Sequence, residues 1–262
     1  MTQPVTESRS VSLPAGELTL SWFAETHRGR RRENNQDAFL VKFPLFAVAD
    51  GMGGHIGGEI ASASTATRLA EAVAEDAVTA DAIEQALARA VIDISDQPGA
   101  TDDGTGTTVT GVYLDTTTPE PTWVTFNIGD SRVYLFRDDS LAQVTTDHSV
   151  VQELIASGRL SPEEAENHPY GNVITRAVGP TDSVVPDYVR LEVFDGDRFV
   201  ICSDGLTKEL TDYGILHYLL QNDDPQAAVE AMLEAALENG GRDNVTIVVL
   251  NVARSGDQPV AD

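Results

Sequence analysis

Apolar positions recur along this chain with two different periods. Val229, Met232, Leu233, Ala236 and Leu237 share one helical face. With Asp224 as N-cap, Pro225 at the first helical position and Gly240 just past the end, they predict a helix over 225–238. Ile83, Ala86, Leu87, Ala90 and Val91 predict a second helix beginning at Asp81, where Glu84 completes a capping-box pattern. A third follows Gly58 and reaches about Ala74. Elsewhere, runs rich in Val, Thr, Phe and Tyr and bounded by Gly, Pro and Asp predict strands at 18–26, 37–42, 45–49, 107–114, 122–128, 132–137, 184–193, 198–202 and 245–251. Several are joined by very short turns, which demands antiparallel pairing, and the helices stand in blocks between groups of strands. The expected fold class is α+β, with sheets inside and helices outside. One continuous domain over 18–252 is the preferred division, with 1–17 and 253–262 as flexible polar tails. Within the domain, 147–179 is a polar stretch carrying two short helices at 149–158 and 161–167, and it reads as a flap beside a site.

Charge alters the picture more than composition does. Of 262 residues, 41% are hydrophobic, an ordinary globular proportion, but 17 Lys plus Arg against 42 Asp plus Glu leave a net charge of −25. Lys42 and Lys208 are the only lysines. Such a surface repels nucleic acid and anionic lipid, whose phosphates need clustered basic side chains. Most of the carboxylates are a solvated coat, and a handful are available to build a cation site. The single cysteine, Cys202, excludes an intrachain disulfide, fits a reducing compartment and, flanked by Val200 and Ile201, reads as a core thiol. No stretch approaches the roughly 20 apolar residues that span a bilayer, and the first residues lack a signal-peptide core, so a cytoplasmic location is expected.

The candidate chemistry lies where strands end. Leu45 to Ala49 runs into Asp50-Gly51, Phe126 to Ile128 into Gly129-Asp130, and Phe199 to Cys202 into Ser203-Asp204-Gly205. Asp243 stands just before the strand that begins at Val245, so an antiparallel partner brings it to the same sheet edge. A lone Asp-Gly is usually only a turn. Four aspartates at the ends of well-formed apolar strands are a stronger signal, because converging carboxylates repel one another and need compensating charge. With so few lysines, a hard divalent cation is the natural supply. Oxygen ligands favour Mg²⁺ or Mn²⁺ over zinc, since His27, His55, His148, His168 and His217 are scattered without metal-ligand spacing.

These segments, taken in order, carry a family resemblance. Arg32-Glu33-Asn34-Asn35-Gln36-Asp37, Val48-Ala49-Asp50-Gly51-Met52-Gly53-Gly54-His55, Gly106-Thr107-Thr108 and Asn127-Ile128-Gly129-Asp130-Ser131-Arg132 come first. They are followed by Asp147-His148-Ser149, Thr175-Arg176-Ala177-Val178-Gly179, Cys202-Ser203-Asp204-Gly205-Leu206 and Arg242-Asp243-Asn244-Val245-Thr246. Over nearly its whole length the chain resembles the metal-dependent serine/threonine protein phosphatases of type 2C, compact bacterial members in particular. The resemblance implies a sandwich of two antiparallel β-sheets flanked by α-helices, four layers in all, with a metal cluster at one edge. It implies two Mn²⁺ or Mg²⁺ ions, Asp50 bridging them, the Gly51 carbonyl on the second, and Asp204 and Asp243 completing the first. A third ion would sit on Asp130 with Asp204. Asp37 would act on the ions through an intervening water, Asn244 would stand behind the ligands, and Arg32 would grip the substrate phosphate.

The physical case agrees with that assignment. Unaided phosphate monoester hydrolysis is so slow that its enzymes supply accelerations up to about 10²¹-fold. Two adjacent cations acidify a shared water and screen the phosphoryl oxygens, so no cysteine nucleophile is required. The planar guanidinium of Arg32 suits two phosphate oxygens better than an ammonium does. One departure concerns Met52, which stands where some family members carry a histidine proposed as general acid; His55 is three residues on. The expected substrates are phosphoproteins made by a Ser/Thr kinase, and the expected state is a monomer. Two alternatives stay open: a phosphoprotein-binding regulator with weak catalysis, and a phosphatase of the same fold for small molecules.

Overall fold

Alternation with a period of two lets one strand feed two cores, and the central strands of this protein do so. A computed structural model describes residues 3–13, 16–53, 57–96, 105–118, 120–165, 168–179 and 184–255. The first half contains β1 (Val5–Leu13), β2 (Gly16–His27), β3 (Asp37–Lys42), β4 (Leu45–Met52), α1 (Gly57–Ala72), α2 (Ala80–Ser95), β5 (Gly106–Thr107), β6 (Val109–Asp115) and β7 (Thr122–Ile128). The second half contains β8 (Arg132–Arg137), β9 (Ser140–Gln143), α3 (Val150–Ala156), α4 (Pro162–Ala165), β10 (Asp187–Glu192), β11 (Arg198–Cys202), α5 (Asp204–Thr207), α6 (Asp212–Gln221), α7 (Pro225–Asn239) and β12 (Val245–Ser255). One sheet is ordered β1-β2-β12-β11-β8-β9, the other β10-β7-β6-β4-β3 with β5 beside β4. The strand pairs within both are antiparallel.

Along β11, Phe199 and Ile201 face the core between the sheets, while Val200 and Cys202 face the helices. The inter-sheet core is sealed by edge-on aromatic contacts, Trp22 to Phe46 at 5.0 Å and Trp123 to Phe199 at 5.1 Å. On one outer face α1 and α2 pack Leu69, Ile83, Leu87 and Ala90 against β4, β6 and β7. On the other, Ile215 and Leu219 of α6 and Val229, Met232, Leu233 and Ala236 of α7 cover β2, β11 and β12. The result is the expected four-layer αββα sandwich.

Several expectations shift. The first tail is not free: Val5–Leu13 pairs residue for residue with β2 over Val5↔Ala24 to Leu13↔Gly16. Its polar Ser, Thr, Glu and Arg residues hid a strand, as suits an edge that has one partner and one wet side. Val5 and Val11 pack on the inter-sheet core, and the Arg9 guanidinium lies 4.6 Å from the Phe43 ring. Likewise β12 continues to Ser255, into the expected second tail. Helix α2 starts one residue early because the Thr79 side chain, rather than Asp81, accepts from the Ala82 amide. Strand β9 and helix α6 have no counterpart among the elements the sequence pattern predicts. The segment 147–179 is tied at its base by Val150 N–H to Val173 O at 2.9 Å and Thr175 N–H to His148 O at 2.8 Å. Among the described residues no helix is long and apolar enough to cross a membrane.

Candidate metal and phosphate site

Each aspartate singled out from the sequence reaches one sheet edge by a different route. Asp50 stands two residues before the end of β4, directly opposite Asp37, the first residue of β3. Asp130 follows β7 on the turn through Gly129, whose φ of 108° suits glycine. Asp204 follows β11 and opens the short helix α5, and Asp243 precedes β12, the antiparallel neighbour of β11. Together with Arg32, Gly51, Lys208 and Asn244, the aspartates Asp50, Asp130, Asp204 and Asp243 line one cavity of about 310 Å³, and Asp37 is not among its lining residues. Beside it lies a cleft of about 930 Å³ between α3 of the 147–179 segment and the α5–α6 region.

Backbone packing holds these groups close. A side chain at Gly51 would place its Cβ 2.1 Å from Gly58 O and 2.6 Å from Gln36 O, so only glycine fits beside Asp50. The Thr108 hydroxyl accepts from the Asp50 amide at 3.0 Å and meets the Ser131 hydroxyl at 2.8 Å, linking the Asp50 and Asp130 loops. Asn244 is a clamp. Its Oδ1 accepts from the Gln36 amide at 2.8 Å, and its Nδ2 donates to the Arg28 and Asn34 carbonyls, both at 2.9 Å. The loop that carries Arg32 is thereby fastened to the start of β12.

Electrostatics set this edge apart. Asp37 is buried, and its Oδ2 accepts from the Ser203 hydroxyl at 2.8 Å and the Thr246 hydroxyl at 2.7 Å. Burial raises its pKa to about 6, against those two hydrogen bonds and with help from the Asp204 and Asp243 charges. Burial and the surrounding carboxylates, Asp37 first, push Asp50 well above the ordinary range. Burial, then Asp204 and Asp147, raise Asp130 to about 7. Burial would also raise Asp243, yet Lys208 and Arg32 bring it below its usual value. Arg32 Nη2 donates to Asp243 Oδ2 at 2.8 Å, and Lys208 pairs with Asp204 and, at 3.1 Å, with Asp243.

Two observations test whether a cation fits. Asp37 Oδ1 and Asp204 Oδ1 are buried with no hydrogen-bond partner, an expensive arrangement unless something positive faces them. The donors are all oxygens, the set that Mg²⁺ and Mn²⁺ take. Among the described residues no three Asp, Glu, His or Cys side chains close round a single point. A hard ion that keeps several of its waters is compatible with so open a set. Sequence reasoning had missed Ser203, Thr246 and Lys208. Ser203 and Thr246 stand within the segments that carry the family resemblance, and the signal for Lys208 is its rarity. His55 lies outside the described residues, and no described residue lining the small cavity is a histidine. Cys202 is fully buried, and burial pushes its thiol up to about 12, as befits an inert core residue.

An αββα sandwich with an aspartate cluster and an arginine at one sheet edge is a hydrolase-like site for a cation and an anionic group, and comparison with known proteins gives its family. Residues 25–242 match the family described as Protein phosphatase 2C, and the chain belongs to that family. It is 37% identical over 242 residues to the serine/threonine protein phosphatase PstP of Mycobacterium tuberculosis, covering 90% of this chain and 45% of PstP. The chain thus spans about half the length of that relative. It is 33% identical over 238 residues to the serine/threonine phosphatase stp of Listeria innocua, covering 86% of this chain and 93% of that protein. The crystal structure of the PstP catalytic domain in complex with two manganese ions superposes with a TM-score of 0.78 at 34% identity, covering 90% of this chain and 99% of that one.

Proposed function

We propose that this protein hydrolyses phosphoserine and phosphothreonine in phosphoproteins with the help of two Mn²⁺ or Mg²⁺ ions. The observation that carries the reading is the convergence of Asp50, Asp130, Asp204 and Asp243 on one cavity, with a buried oxygen of Asp204, and one of Asp37, lacking protein partners. Asp50 and the Gly51 carbonyl, Asp204 and Asp243 would hold the ions. When bound, the ions supply an acidified water and positive charge for the phosphoryl oxygens.

The chain's own residues do the rest. Asp37, fixed by Ser203 and Thr246, orients water from behind the ligands. Arg32 leaves Asp243 for the phosphate. An ion pair with a half-exposed arginine is worth only about 0–1 kcal/mol, so that exchange is easy. The 147–179 segment serves as the flap, its Val151 and Ile155 lining the large cleft where the flanking peptide would lie. The reading extends to a third cationic position on Asp130 with Asp204. What fills it is a separate question, because Lys208 already reaches Asp204. We place the protein in the cytoplasm as a monomer acting on products of a Ser/Thr kinase; the reaction class supports the kinase link, and the free, buried cysteine suits a reducing compartment.

The test is phosphate release from a phosphothreonine peptide by purified protein. Activity with Mn²⁺ that is abolished both by EDTA and by Asp204→Asn is the expected result. A folded wild type that binds Mn²⁺ yet leaves several phosphopeptides intact would overturn the assignment, and hydrolysis confined to small phosphate esters would move it to small-molecule substrates.

A further inference from the structure

Lysine is scarce in this protein, and both lysines have specific work. Lys42 donates to the Ala70 carbonyl at 2.7 Å, near the end of α1. Lys208 lies in the carboxylate cluster. It follows α5 directly, its amide donates to the Asp204 carbonyl at 2.8 Å, and the i, i+4 spacing folds its side chain back onto Asp204 Oδ2. From there Nζ also reaches Asp243 Oδ2 at 3.1 Å, and the side chain is 30% exposed.

Arg32, the other cation on these aspartates, is 52% exposed and touches Asp243 alone of them. Lys208 is therefore the charge that faces the Asp204 side. It lines the same cavity as Asp130 and Asp204. The two oxygens of Asp204 are also divided: Oδ2 meets the ammonium, whereas Oδ1 is buried without a partner. One carboxylate thus offers one oxygen to the lysine and keeps the other for an ion.

We infer that Lys208 is a tethered cation filling the third position of the cluster, on the Asp130 and Asp204 side, so that two divalent ions and one ammonium complete the site. The inference rests on the two-ion reading above. An ammonium carries half the charge of a divalent ion and no acidified water, but it is lost neither to chelators nor to dilution. Lys208 also competes for Asp243, which it must give up when an ion takes that carboxylate.

The experiment counts Mn²⁺ per chain by equilibrium dialysis and titration calorimetry, without substrate, in wild type, Lys208→Arg, Lys208→Met and Lys208→Asp, each checked for folding by its thermal melt. Wild type and Lys208→Arg are expected to bind two ions. Lys208→Asp, with a carboxylate in place of the ammonium, is expected to bind three. Lys208→Met is expected to bind its first ion about tenfold more tightly, since no tethered charge contests Asp243. Three ions in the wild type, or counts and affinities that agree within twofold across all folded variants, would overturn the inference. Should Lys208→Asp not fold, Lys208→Met and Lys208→Arg decide by the affinity difference between them. A wild type that binds two ions but hydrolyses no phosphopeptide counts against the phosphatase reading and leaves this one standing; no Mn²⁺ binding at all sinks both.

Discussion

The two ends of strand β11 carry carboxylates with opposite fates. At its start, Asp197 is fully buried and answered by the chain itself. Arg137 donates to both of its oxygens at 2.6 and 2.9 Å, and the Phe194 amide adds a third bond at 3.0 Å. At its far end, Asp204 keeps one buried oxygen without a partner, beside Asp37 and Asp50, whose carboxyls are both raised. A few residues of chain separate a finished ion pair from an unfinished one. The difference shows where the fold puts a carboxylate to structural use and where it leaves charge for something absent from the polypeptide.

Substitution at the two ends should break this contrast in opposite directions. Asp204→Asn is expected to lower phosphopeptide turnover by about 10³-fold while changing metal-free unfolding by less than about 1 kcal/mol, because lost repulsion offsets the lost Lys208 pair. Asp197→Ala is expected to cost about 3 kcal/mol in denaturant unfolding, by stranding Arg137, with turnover per folded molecule unchanged. Matching losses of stability from both variants would erase the distinction. Next in size, Ser203→Ala or Thr246→Ala loosens Asp37 and should slow turnover by about 10- to 100-fold, chiefly in kcat. An unchanged rate would remove Asp37 from the machinery.

The smallest effect is with pH. The Asp37 and Asp130 carboxyls are raised above the unfolded value of about 4, to about 6 and about 7. In that window the folded, metal-free protein holds protons that the unfolded chain has released. Their contribution to stability is therefore present at low pH and lost as pH rises from about 4 to about 7. Metal binding must expel those protons, so Mn²⁺ affinity should weaken about tenfold between pH 7 and pH 6, with proton release seen calorimetrically in buffers of different ionisation heat. Equal affinities at pH 6 and pH 8 would contradict it.

The strand-end aspartates were legible because a buried apolar run that stops at Asp leaves a local signature, and α7 because cap, Pro and Gly agree with its stripe. Less local features were not. Helix α6 hid because apolar Tyr213 and Leu220 are exposed and Gly214 interrupts it, so its true stripe, Ile215 and Leu219, did not stand out. Strand β1 hid because its polar pattern makes sense only beside β2.

By itself, then, the sequence determined the layer pattern, the strands that matter and the residue types of the site, because period and turn chemistry are written in neighbouring residues. Only the tertiary structure decided which charges meet. Arg32 and Asp243 are 211 positions apart, and Lys208 and Asp243 are 35 apart. Whether a carboxylate is answered by the chain or left for an ion depends on what the fold brings within about 3 Å, at separations where sequence spacing carries no information.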